Sequence, residues 1–115
     1  MTIIISSQGK TLQSQPSLRF GRTPFFIKYD LEDNAWEALD NPGVSQSGGA
    51  GVSASQFLID QNASTALSGR FGPNAHRVLK AADIRMVTFD ETYPTVLSVI
   101  DAFKANQLNE DQSPQ

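Results

Sequence analysis

The strongest constraint on this chain is a helical stripe set between two short runs that read as strands. Pro73 opens it, and Ala75, Val78, Leu79 and Ala82 follow at i, i+3, i+4 and i+7, one apolar face of a helix with proline at its first position. Thr65-Ala66-Leu67-Ser68 precedes this stripe and Arg85-Met86-Val87-Thr88 follows it. A crossover helix between two strands implies a parallel pair joined right-handedly. The chain is therefore α/β, with Asp83 ending the helix in a left-handed turn.

The remaining elements extend this unit in both directions. Thr2 to Ser6 is a β-branched run that ends at the turn Ser7-Gln8-Gly9-Lys10. Phe25 to Asp30 and Ala35 to Leu39 read as a hairpin around Glu32-Asp33-Asn34, after a polar stretch broken by Pro16 and Gly21. Asp40 to Gly49 has no apolar period and reads as a mobile loop. A helix runs from the glycines to Gln61, and a last one starts at Pro94, with Val96, Val99, Ile100 and Phe103 on one face. From Asn106 the composition is that of a frayed tail, so residues 1–105 form one domain and 106–115 a flexible extension. The expected sheet has five strands in the order 3-2-1-4-5, with three helices.

That order puts the first strand beside the strand at Thr65, with their outgoing connections leaving in opposite directions. Open α/β sheets bind ligands at such switch points. The loops converging there are Ser6 to Lys10, Arg19 to Arg22 and Gly69 to Asn74, with Gly48-Gly49-Ala50-Gly51 close by. Four of the nine basic residues, Lys10, Arg19, Arg22 and Arg70, lie in those loops, so the crevice is cationic although the net charge is −3. Glycines let backbone approach a ligand, and a helix start offers N–H groups and positive dipole.

Several chemistries are excluded by what is missing. The acidic balance argues against a general nucleic-acid binder. With no cysteine, the chain builds no disulfide and no thiolate-held metal centre. Met1 to Ile5 lacks a basic leader and is too short to cross a membrane, which makes the cytoplasm the expected location. Gly9-Lys10-Thr11 has Ile4 where a P-loop needs its first glycine, and Ala54 breaks a dinucleotide fingerprint around Gly49 and Gly51.

The element order is that of ribonuclease-H-like folds, whose nucleases hold metal through carboxylates on the first strand. Ile3-Ile4-Ile5-Ser6 carries none, and Asp30, Asp60, Asp90 and Glu91 are scattered over turns and element ends. His76 is the sole histidine, so no catalytic triad is supported; it reads as a helix-flanking residue, with a metal-ligand role as the alternative. Phe20 and Phe71 each sit in a glycine turn beside an arginine and read as loop anchors.

Taken in order, Phe20-Gly21-Arg22-Thr23-Pro24-Phe25-Phe26, the run Gly49-Ala50-Gly51, Gly69-Arg70-Phe71-Gly72-Pro73-Asn74-Ala75 and Leu79-Lys80-Ala81-Ala82-Asp83-Ile84 resemble the dinitrogenase iron–molybdenum cofactor biosynthesis family. That family spans nitrogenase cofactor carriers and orange proteins. The resemblance implies a ribonuclease-H-like domain without enzymatic activity that carries an anionic metal–sulfur cluster. The expected cargo is a molybdenum–copper sulfide, with an iron–molybdenum type as the alternative. It implies a cluster donor or acceptor protein as partner, such as a MinD/Mrp-like ATPase, and neither nucleic acid nor membrane. Arg19 stands where many relatives have histidine, and Asp83 where glycine is common.

Joined with the electrostatics, the resemblance assigns cluster binding to Arg19, Phe20, Gly21, Arg22, Gly48, Gly49, Gly51, Gly69, Arg70, Phe71, Gly72 and Asn74. Two other classes stand beside it: an interaction module that docks through Asp40 to Gly49 or the acidic surface, and a metal-dependent nuclease using Asp30 or Asp60.

Overall fold

Ile3, Ile4 and Ile5 are all buried, because the first strand lies at the centre of a sheet covered on both faces. The computed structural model describes residues 1–111. Its strands are β1 (Thr2–Ser7), β2 (Phe25–Asp30), β3 (Trp36–Asp40), β4 (Thr65–Ser68), β5 (Arg85–Thr88) and β6 (Asn109–Glu110). Its helices are α1 (Ala50–Asp60), α2 (Pro73–Ala81) and α3 (Val96–Lys104). The sheet order is β3-β2-β1-β4-β5-β6, with β1, β4 and β5 parallel and the remaining pairs antiparallel. The expected mixed α/β fold is present, with one short strand added at the edge.

Strand alternation sends neighbouring isoleucines into different cores. Ile4 joins Phe20, Phe26, Ala54, Leu58, Ala66, Ala75 and Leu79 under α1 and α2. Ile3 and Ile5 join Ile27, Leu67, Val87, Val96, Val99 and Ile100 under α3. Each valine, leucine, isoleucine or phenylalanine among these contributes about 1.5–3 kcal/mol when fully buried.

Three local details depart from the sequence reading. Pro94 precedes α3 and does not open it: Thr95 is the N-cap, its Oγ1 accepting from the Ser98 N–H at 3.0 Å while Ser98 Oγ accepts from the Thr95 N–H at 3.2 Å. This reciprocal capping box satisfies two amides that proline could not. The Asp40–Gly49 stretch is anchored at its start by Asn41, which is buried and donates from Nδ2 to the Thr23 carbonyl at 2.9 Å. The third is the stretch after Asn106. Asn109 and Glu110 pair with β5, Leu108 packs on the α3-side core, and the Asp111 N–H donates to the Met86 carbonyl at 2.8 Å. Polar side chains do not prevent this, since the ladder is made of backbone groups. Residues 112–115 of the expected extension lie outside the described residues.

Among the described residues no helix is long and apolar enough to cross a membrane.

Candidate functional site

The site is built where the connections after β1 and β4 meet. Phe20 donates its N–H to the Arg70 carbonyl at 3.0 Å, and Arg19 and Arg70 form an isolated parallel bridge. Gly69 makes this approach possible, since a Cβ there would lie 2.8 Å from the Cα and carbonyl oxygen of Leu18. Thr23 fixes the other end of the segment, accepting from the Ser7 N–H at 3.0 Å and donating to the Ser7 carbonyl at 2.9 Å. Between those two ties Gly21 lies on the first turn of α1, where a Cβ would come within 3.0 Å of the Gly51 nitrogen.

The result is a crevice of about 340 Å³. Arg19, Phe20, Gly21 and Arg22 line it from the first segment, Gly49, Ala50 and Gly51 from the start of α1, and Arg70 to Ala75 from the start of α2. Ten of the twelve residues assigned from sequence are therefore brought together. The other two are not in the lining: Gly48 faces open space, and Gly69 is consumed by its packing on Leu18.

Among the described residues the lining holds three arginines and no carboxylate. Gly49 and Gly72 are the N-caps of α1 and α2, neither gives a side-chain cap, and neither helix has an acidic residue in its first turn. The first intrahelical bonds are donated by Ser53 to Gly49 and by His76 to Gly72. Amides before those positions have no acceptor within their helix, and the dipoles put partial positive charge at the same place. Phe20 and Phe71, with ring centroids 5.2 Å apart, give the crevice an apolar floor that continues through Phe26 into the core. Such a cavity suits an anion of modest size with apolar faces. It does not suit a bare metal ion, because no thiolate, imidazole or carboxylate of the described residues lines it.

Two residues fall elsewhere. Lys10 lies outside the crevice, its Nζ 5.3 Å from the centre of the Phe25 ring, because the Gly9–Ser14 turn carries it away. His76, half-buried, lines a separate hollow of about 440 Å³ with Lys80, Asp83, Arg85, Met86 and Glu110 among others. Among the described residues no group of three or more His, Cys, Asp or Glu is placed to hold a metal. Asp30 and Asp90 have carboxyls held below the usual range, Asp30 by the Glu32 N–H and Asp90 by the Thr92 hydroxyl and N–H. Neither lines the crevice.

The sequence reading missed the positioning roles of Thr23 and Asn41. Thr23 was visible as part of the Phe-Gly-Arg-Thr run. Asn41 is locally only a turn residue, its Oδ1 accepting from the Gly43 N–H at 3.1 Å; its anchoring partners, the Gly21 and Thr23 carbonyls, are about twenty residues away.

The family model described as dinitrogenase iron-molybdenum cofactor matches residues 1–106. The chain belongs to that family. Its fold is similar to the apo form of the orange protein from Desulfovibrio gigas, with a TM-score of 0.92 and 31% identity over 99% of this chain and 95% of that one. It is also similar to a candidate NifB protein from Thermotoga, with a TM-score of 0.83 and 34% identity over 95% and 91% of the two chains. A candidate dinitrogenase from Methanocaldococcus jannaschii, 14% identical over 99% and 97%, shares the fold at a TM-score of 0.73. A comparison with curated proteins gives no match.

Proposed function

We propose that this family member is a non-enzymatic carrier of an anionic metal–sulfur cluster, held noncovalently in the crevice between the starts of α1 and α2. The observation that carries the reading is the crevice itself: three arginines and two helix starts that have glycine N-caps and no acidic residue in the first turn, over an aromatic floor, with no carboxylate and no metal ligand among the described lining residues. A thiometallate brings its own sulfur ligands and net negative charge. It needs from the protein only N–H donors, cations and apolar walls.

A molybdenum–copper sulfide is the preferred cargo and an iron–molybdenum sulfide the alternative. Membership of the cofactor family and the likeness to the orange protein support this class of cargo. The chain's own residues bind and orient: Arg19 and Arg70 neutralise charge, Arg22 approaches from the next turn, and Phe20 and Phe71 supply apolar wall. Nothing in this assignment moves a proton or breaks a bond. Delivery then calls for a donor or acceptor protein, such as a MinD/Mrp-like ATPase, in the cytoplasm.

The test is a titration of the purified protein with tetrathiomolybdate and copper(I), followed by visible absorbance and backbone amide shifts. Shifts centred on residues 19–22, 49–52 and 70–75 support the reading. Shifts confined to the end of β2 at Asp30 or the end of α1 at Asp60, or none at all, overturn it.

A further inference from the structure

Arg22 belongs to the crevice and to a neighbouring loop at once. It lines the cavity, and its Nη1 donates to the Val44 carbonyl at 3.1 Å and the Gln46 carbonyl at 2.6 Å. A guanidinium has five N–H donors in one plane, two of them on Nη1. Both Nη1 hydrogens go to the loop, which leaves those on Nη2 and Nε for the cavity.

The loop is fixed at its ends and exposed in its middle. Asn41 is buried at one end, and Gly49, with φ of 75°, caps α1 at the other. Between them Val44 and Gln46 donate their N–H groups back to Asn41 and Gly43, and residues 45–49 are exposed. The two bonds from Arg22 are charge-assisted, the stronger class of hydrogen bond. They fasten the middle of the loop to the crevice wall.

We propose that Arg22 makes this loop a strap that an anion in the crevice tightens. The inference rests on the anion-binding reading above. In the ligand-free protein Arg22 shares the cavity with Arg19, Arg70 and the positive ends of two helices, so its position there is opposed by like charge. An anion on Nη2 and Nε reverses that sign. It holds the planar fork in place, and the Nη1 bonds to Val44 and Gln46 are held with it. Coupling of this kind is reciprocal: lifting the loop loosens the anion by the factor that the anion tightens the loop. A partner that grips the Val44–Gly48 stretch therefore promotes release.

Amide hydrogen exchange at Val44 and Gln46, with and without tetrathiomolybdate, tests the strap, with occupancy measured by equilibrium dialysis on the same samples. The expected result is slowing by about five-fold or more at saturation. Arg22→Lys has one compact ammonium that cannot serve loop and anion as a fork does. At equal occupancy it should lose the slowing, and without ligand its Val44 and Gln46 amides should exchange faster than in the parent. Binding by the parent without slowing overturns the strap and leaves the anion-binding reading intact. Failure of the parent to bind overturns that reading and the strap with it. Unchanged ligand-free exchange in Arg22→Lys overturns the fastening role of Arg22, whatever its affinity.

Discussion

Arg19 and Arg70 face each other across a parallel backbone bridge, locked by the Phe20 N–H to the Arg70 carbonyl at 3.0 Å, and both line one crevice. Two cations held side by side by main-chain bonds repel in the absence of an anion. Arg70→Gln should therefore raise the stability of the ligand-free protein by about 0.2–0.5 kcal/mol at low salt, the scale of exposed charge pairs. The gain should shrink above about 0.1 M salt, where the Debye length falls to ~10 Å. Urea denaturation at two salt concentrations checks both.

The glycines of the site are not equivalent. A Cβ at Gly69 would meet the Leu18 backbone at 2.8 Å, whereas one at Gly51 would sit 3.5 Å from the Ala75 Cβ in ordinary contact. Gly69→Ala should cost about 1–3 kcal/mol, since backbone must shift. Gly51→Ala, inside a helix, should gain up to ~1 kcal/mol from lower chain entropy. Thermal or urea unfolding of the two variants distinguishes them by sign.

Asp83 occupies the left-handed region at φ 59°, just past α2, with the Ile84 N–H returning to the Leu79 carbonyl. Glycine adopts this conformation without a Cβ penalty, and a carboxylate near a helix C-terminus opposes the dipole. Asp83→Gly should stabilise the protein by about 1 kcal/mol, read from the denaturation midpoint.

Much of this site was legible because its signals are local. Gly21 and Gly69 mark close approaches, Gly72 marks a cap, Pro73 marks a helix start, and the strand order follows from the alternation of short apolar runs with helical stripes. What was not legible depends on distant partners. Asn41 looks like one more polar loop residue until the Gly21 and Thr23 carbonyls are brought to it. Lys10 has the right charge and connects the right strand, yet a turn held by Ser14 turns it toward Phe25. Asn109 and Glu110 become a strand through backbone pairing that side-chain composition does not encode.

Asp90 is held in its charged form by the Thr92 hydroxyl and N–H, which lower its pKa. A carboxyl with a depressed folded pKa contributes stability above its unfolded value, about 3.9. That contribution is lost as pH falls through the folded pKa, so the turn before α3 should weaken only under strongly acidic conditions. A carbon-13 titration should show Asp90 below the ordinary range, and Thr92→Ala should move it back toward that range.

Gel filtration of protein reconstituted with tetrathiomolybdate and copper(I), with molybdenum measured in each fraction, shows whether the crevice carries a cluster. The parent should co-elute with molybdenum and visible absorbance. Arg19→Gln with Arg70→Gln should weaken retention by about ten-fold or more, equivalent to ~1.4 kcal/mol. Molybdenum that elutes only with the small molecules, or that follows the parent and the double variant equally, overturns cluster binding by the arginine-lined crevice.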